Sequence, residues 1–375
     1  MRQREKPDIV LSSDQKRIVW HIRTTGPASR SKIATDLNMH NASMTRLARE
    51  LVILGCLEEL DDHIAGRGRP SVPLTLSGRA GYSAGAMAHP GWIELVLLDF
   101  SGKVLARHAE PFTSPRPKDF AELVSLRLRE LSSSTEIMRL KFLGLGIAIP
   151  GNAADASSYW TVEWLEGWRN IRYPDFFEDY LNFPVWVENE STLAGLADFY
   201  DHGLMLSCSS AISIFIGHGV GGSIIYRHNV ISGEYGNAGD IGRLFPAMNE
   251  PRPSGIDLVR DLNAAGANLQ SLFDVSKYVD SHADIIANWT ARASKQLLTL
   301  VESGAAWIDP GAIVVTGSIP VMILDAIAQE MRQSQWIFGA APKRTPAIYA
   351  SRLGSWAMPI GAAMLPIHNV MAIRD

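Results

Sequence analysis

Asn189 and Glu190 set an amide beside a carboxylate, just after the strand-like stretch Phe183-Pro-Val-Trp-Val187 and ahead of an apolar, helix-like run from Thr192. A carboxylate so placed can take the proton of a substrate hydroxyl, as a general base does, or accept a hydrogen bond that only holds a ligand. The pair by itself leaves both roles open. A second feature, Gly217-His-Gly-Val-Gly-Gly222, lies between two strand-like runs. Its backbone amides could cradle phosphate, and such glycines equally serve packing between strands. A third group is basic: Arg46 and Arg49 share a helix-like segment with Asn41, Ser43 and Thr45, and Arg67 and Arg69 sit in a Gly-Arg-Gly-Arg-Pro tip. Guanidinium groups beside small hydroxylated residues suit base edges and phosphates of DNA.

These groups need a scaffold, and 375 residues, 46% of them apolar and 20% charged, are enough for two or three domains of an ordinary globular protein. Residues 1–79 carry 13 Lys and Arg against 9 Asp and Glu, and the remainder 22 against 30. A small basic front and a larger acidic body point to different partners. Cys56 and Cys208 are far apart in apolar surroundings, which argues against a disulfide framework or a thiolate zinc site and for a reducing, cytoplasmic setting. No apolar run is long enough to span a membrane, and the polar start, Met-Arg-Gln-Arg, is unlike a signal peptide, so no membrane partner is expected.

After a flexible N-terminus over 1–11, residues 12–78 read as a winged helix-turn-helix. An apolar-periodic helix through Arg17-Ile-Val-Trp-His-Ile22 stops at Gly26-Pro27. Ser29 is placed to cap a short helix carrying Arg30 and Ser31. Asn38-Met39-His40 forms a tight turn, and Asn41 is the expected cap of a third helix whose Met44, Leu47, Leu51 and Leu54 make one buried stripe. Two strand-like pieces, 57–60 and 72–76, flank the basic tip. In this plan the third helix enters the major groove of double-stranded DNA and the wing lies along the backbone or the minor groove. Arg30, Ser31, His40, Asn41, Ser43, Thr45, Arg46, Arg49, Arg67 and Arg69 are the candidate DNA-binding residues.

From Gly81 onward the chain has an α/β texture. Trp92–Asp99 and Val104–Ala106 form a hairpin about Ser101-Gly102, Phe142–Pro150 is a buried strand, Ala211–Tyr226 is strand, glycine turn and strand, and Ala312–Gly317 is a further strand. With Ser29-Arg-Ser-Lys-Ile-Ala34, Gly144-Leu-Gly-Ile-Ala-Ile-Pro-Gly151, Val187-Glu-Asn189, Gly217–Gly222, Gly236-Asn-Ala-Gly-Asp-Ile-Gly242 and Ile360-Gly-Ala-Ala363 in this order, the chain resembles the ROK family of sugar-operon repressors and sugar kinases. The resemblance, to the branch of xylose and N-acetylglucosamine repressors, implies an actin-like, hexokinase-like body of two lobes over 79–375. The hinge is expected near 187–192, with a C-terminal helix returning to the first lobe.

The resemblance also indicates which parts of a kinase remain. The family's Asp-x-Gly-Gly-Thr phosphate loop corresponds to about Ser83–His89, without its carboxylate, glycine pair or hydroxyl. The catalytic Asp of an Asn-Asp pair is replaced by Glu190, one methylene longer, a displacement that in-line transfer tolerates poorly. No catalytic residue and no cofactor are therefore expected. The cysteine-rich zinc segment corresponds to Pro246–Asp257, which has neither Cys nor His, so no metal is expected. Positions that contact sugar in relatives correspond to Trp168, Asn170, Asn189, Glu190, Asp240, Arg243 and Asp257. Arg243 favours an anionic ligand, or a salt bridge to Asp240 or Glu190. Trp160, Trp164 and Trp168 recur every four residues, in a pattern that fits sugar stacking or a core stripe. The function implied is a homodimeric or homotetrameric transcriptional regulator of carbohydrate genes with a carbohydrate effector. The alternative is an ATP-dependent sugar kinase with an appended DNA-binding domain.

Overall fold

The computed structural model describes residues 9–60, 72–134, 136–155, 157–169, 171–201, 203–247, 249–334 and 345–372. The chain divides into two compact units, the first formed by Met1–Ile149, Glu163–Glu188 and Ala362–Asp375 and the second by Pro150–Val162 and Asn189–Gly361.

The first unit begins with α1 (Ser13–Thr25), opened by a capping box in which Ser12 and Gln15 each bond the other's backbone amide. It ends at Gly26, whose φ of 82° suits a residue without a Cβ. α2 (Arg30–Asp36) starts where Ser29 Oγ accepts from the Lys32 amide. α3 (Asn41–Ile53) buries Met44, Leu47, Ala48 and Leu51, so the periodic stripe is its inner face. The cap of α3 differs from expectation. His40 occupies the cap position, its side chain makes no capping bond, and Asn41 is the first helical residue. β1 (Leu57–Glu59) and β2 (Leu74–Leu76) pair antiparallel, and Ala28 bridges to Leu74 to add a third short rung.

β3 (Tyr82–His89), β4 (Gly91–Asp99) and β5 (Val104–Phe112) form an antiparallel meander; α4 (Pro117–Leu131) leads into β6 (Phe142–Ile149), parallel to β3. The chain then contributes the hairpin β7 (Gly151–Asp155) and β8 (Ser158–Thr161) to the second unit before α5 (Tyr173–Leu181) and β9 (Val185–Asn189) complete the first sheet in the order β5-β4-β3-β6-β9.

In the second unit α6 (Glu190–Asp201) and α7 (Leu204–Ser207) precede β10 (Ala211–Ile216), β11 (Val220–Tyr226) and the short β12 (Asn229–Val230). α8 (Gly255–Ala264) and α9 (Ala283–Ile308) lead to β13 (Ala312–Gly317), then α10 (Val321–Gln333) to β14 (Ala347–Ala350), and α11 (Ala357–Met371) closes the chain. The sheet order is β12-β11-β10-β13-β14. Each unit thus repeats one plan: a meander whose first strand pairs parallel with the next strand after a helix. This duplicated half is what an actin-like body requires. The second core packs Ile214, Ile216, Val315 and Ile313 against Leu258, Trp289, Leu297 and Leu324 of the helices.

Within the first unit, the end of α11 anchors α1. Arg23, 5% exposed, donates to the carbonyl oxygens of Phe100 at 2.7 Å and Ser101 at 3.3 Å, while Lys16 Nζ donates to the Ala372 carbonyl at 2.6 Å. Trp20 meets the His368 ring edge-on at 5.7 Å. Burial, with the nearby Arg23 charge, holds the His368 imidazole down at about 3, so it stays neutral at physiological pH.

Candidate functional site

Two surfaces carry the chemistry. On the N-terminal helix-turn-helix, Ser31, His40, Asn41, Ser43, Thr45, Arg46 and Arg49 are all exposed. Leu47 and Met44 turn inward on the same helix, so the amphipathic pattern of α3 by itself directs its polar face outward. Arg46 donates to Glu50 at 2.6 Å one turn on, and Arg30 pairs with Glu59 of β1. Both are solvent-facing ion pairs of small net value. Arg67 and Arg69 lie outside the described residues.

The second surface is a cleft of about 610 Å³, lined wholly by residues of the second unit: the β7–β8 hairpin, the start of α6, the Gly217–Gly222 turn and the 236–243 segment. Asn189 organises two of these walls. Its Nδ2 donates to the Gly151 carbonyl at 2.7 Å, and its Oδ1 accepts from the Ser191 amide at 2.8 Å and the Thr192 amide at 3.3 Å. Asn189 is thus the cap of α6 and a tether for the hairpin, with both ends of its amide engaged.

Glu190 follows at the first position of α6 and lines the cleft. Among the described residues no donor bonds its carboxylate. Burial pushes its pKa up to about 8, against the pull of the α6 N-terminus, which favours the ionised form. A carboxyl that is mainly protonated at neutral pH can both donate to and accept from a ligand hydroxyl.

Asp240 and Arg243 line the same cleft, 3.5 Å apart as an ion pair, with Arg243 79% exposed at its outer edge. The glycine turn is held down by close packing. A Cβ on Gly221 would lie 2.6 Å from Ser191 Oγ, and one on Gly255 would lie 2.6 Å from the Gly217 carbonyl oxygen, to which the Gly255 amide donates at 2.8 Å.

Two expected ligand residues are elsewhere. Trp168 is 1% exposed in the first unit, its ring 5.0 Å from that of Phe120 and 5.4 Å from that of Phe177, so no face is left for a sugar. Asp257 is fully buried and does not line the cleft: its carboxylate takes donors from Arg260, from Arg292 at 2.5 Å and from Trp289 Nε1 at 2.9 Å. A carboxylate with three such donors is a structural anchor. Asn170 lies outside the described residues.

Residues that the motifs did not single out take their place. Trp160, on β8, lines the cleft and is 71% exposed, which gives the site an indole face. Its signal was the four-residue Trp spacing, but that stripe is no helix face, because Trp160 is in a strand and Trp168 ends a 3-10 turn. Arg252 lines the cleft at 6% exposure and donates to the Pro246 carbonyl at 2.9 Å and the Gly242 carbonyl at 3.2 Å. It therefore ties the start of the Pro246–Asp257 segment to Gly242. Pro246–Asp257 has no Cys or His to ligate the metal, and among the described residues no three His, Cys, Asp or Glu cluster in a way that fits one.

At the β3–β4 turn His89 Nε2 lies 3.0 Å from Glu94 Oε2, both side chains buried. No helix among the described residues is long and apolar enough to cross a membrane.

The chain is similar to several known proteins. An uncharacterised protein of Sinorhizobium fredii is 29% identical over 360 residues, 95% of this chain and 91% of that protein. The xylose repressor of Bacillus spizizenii is 23% identical over 245 residues, covering 65% of this chain and 63% of its own length. Among solved structures, a ROK-family transcriptional regulator homologous to the Escherichia coli Mlc protein superposes with a TM-score of 0.68 over 96% of both chains at 20% identity, a likeness of fold. The ROK family model matches residues 91–369, and with most of its length inside that match the chain belongs to the ROK family.

Proposed function

We propose that this protein is a DNA-binding transcriptional regulator, acting as a repressor of carbohydrate uptake or catabolism genes, and that a sugar or sugar derivative in the second-unit cleft controls it. The observation that carries the reading is the pairing, in one chain, of an exposed α3 face with a cleft whose Glu190 carboxyl has no protein donor among the described residues. Trp160 supplies a stacking face and Asp240 a further acceptor for ring hydroxyls. A 610 Å³ cleft fits a monosaccharide or small derivative with room for water. The similarity to a xylose repressor supports the same assignment.

In this scheme the head of each protomer in a dimer or tetramer occupies one operator half-site. Effector binding alters head spacing so that both half-sites are no longer matched. The direct test is fluorescence anisotropy of operator fragments selected with the full chain, repeated with a panel of sugars, in which an effector should lower DNA affinity several-fold.

A sugar kinase is the second reading, because a carboxyl titrating near neutrality is also what a general base needs. Against it stand the buried His89–Glu94 pair at the phosphate turn and the extra methylene of Glu190. Sugar-dependent ATP consumption that Glu190→Gln abolishes would establish the kinase and displace the regulator reading.

A further inference from the structure

One cation of the cleft has no carboxylate beside it among the described residues. Four charged or chargeable side chains other than His218 line it: Glu190, Asp240, Arg243 and Arg252. Asp240 is answered by Arg243 at 3.5 Å. Arg252, 94% buried on its 6% exposure, has no carboxylate partner among the described residues. Its two bonds go to neutral carbonyl oxygens, of Pro246 and Gly242, and its Nε is buried without an acceptor. Burial of this guanidinium lowers its pKa, the signature of a cation short of compensation, and Glu190, mostly protonated at neutral pH, supplies little negative charge.

A buried cation without a counter-ion costs several kcal/mol, whereas one that faces a cavity can recover this when an anion enters. The guanidinium has five N–H donors, and its acceptors among the described residues engage two of its three nitrogens. Each Nη keeps one N–H beyond these bonds, suited to a carboxylate or phosphate oxygen that enters the cleft.

We propose that the effector is an anionic sugar whose carboxylate or phosphate sits on Arg252, with Arg243 at the outer edge drawn from Asp240 toward the same group. This rests on the sensor reading of the cleft and names the chemical class it selects. Trp160 and Glu190 hold the ring and its hydroxyls while Arg252 recognises the charge. Neutral sugars leave the Arg252 charge uncompensated and bind more weakly.

The test is calorimetry and thermal shift on the full chain with three sets of probes: hexuronates and aldonates, hexose phosphates, and their neutral parent sugars, with inorganic phosphate alone as a further arm. At least one acid or phosphate should bind about tenfold or more tightly than its neutral parent. Arg252→Gln should abolish that preference, Arg252→Lys should retain part of it, and Arg243→Ala should weaken it a few-fold. Whichever of the acid and phosphate arms responds identifies the anion. A neutral parent binding as tightly as its anion, or an Arg252→Gln protein with unchanged anion affinity, overturns the proposal and leaves the sensor reading standing. Should Arg252→Gln fail to fold, unchanged anion preference in both Arg252→Lys and Arg243→Ala overturns it equally. Inorganic phosphate binding with no sugar preference reduces the site to an adventitious ion only. Silence in every sugar arm, neutral and anionic, overturns the sensor reading itself.

Discussion

Asn189 Nδ2 lies 2.7 Å from the carbonyl oxygen of Gly151, so the residue that caps α6 also ties down the hairpin carrying Trp160. One amide thereby fixes the Glu190 carboxyl and the indole face relative to each other. Asn189→Ala should cost about 1 kcal/mol through the lost cap and more through the loosened hairpin. Effector affinity should fall while operator affinity in the absence of effector stays near wild type. Asn189→Asp keeps the acceptor for the cap and loses only the donor to Gly151, so its stability should lie between the two. Equal loss of operator and effector binding in Asn189→Ala would contradict this separation.

Arg46 and Arg49 sit on the outward face of α3. Replacing Arg46 with Ala removes only a solvent-facing pair with Glu50, so the melting temperature should barely move. Operator affinity should drop by about 1–3 kcal/mol if the guanidinium reads a base, or the salt slope should shrink by about one if it contacts phosphate. Titrations at several salt concentrations distinguish the two. Unchanged affinity at every salt concentration would remove Arg46 from the interface.

Glu190 should make stability fall with pH. Its folded pKa, about 8, is above the ordinary value of 4.5, so the native state holds the proton more tightly than the unfolded chain. The stabilisation is fully present below about pH 4.5 and is lost as pH rises to about 8. Asp198, fully buried and raised to about 7 by burial against the opposing hydrogen bonds of Ser351 and Thr316, acts in the same direction. Urea unfolding at pH 5 and pH 8 should show Glu190→Gln gaining ~2 kcal/mol on wild type between the two, a figure reduced for partial solvent access. A pH-independent difference would mean that the carboxyl is solvated.

Arg23 links α1 to two carbonyl oxygens of the body, and its Nε lies 3.2 Å from Met371 Sδ on α11. Arg23→Met leaves the Phe100 and Ser101 carbonyls without this donor, at ~1–3 kcal/mol for each that stays buried. The melting temperature should drop by several degrees. Effector should also release the operator less completely, because the head is no longer held to the helix that follows the body. Wild-type effector response in a destabilised Arg23→Met protein would show the anchor to be structural only.

The order of helices in the head, the hairpins and the glycine turns were all legible in the sequence, because each rests on local rules: 3.6-residue periodicity on α3, Ser29 as a cap, glycine where a side chain would collide. The family could be read from the order of its motifs. The cleft was legible in part, since Asn189, Glu190, Asp240 and Arg243 come from motif segments that the fold brings to one cleft. What only the tertiary structure decided is which side chains face a cavity and which face a core. Trp160 and Trp168 are alike in sequence spacing, yet one is 71% and the other 1% exposed, because burial depends on the partners Phe120 and Phe177 supplied from distant segments. Asp257 is consumed by Arg292, 35 residues away, and Arg252 is left without a counter-ion among the described residues, since charge pairing is settled by distance in space and no spacing along the chain records it.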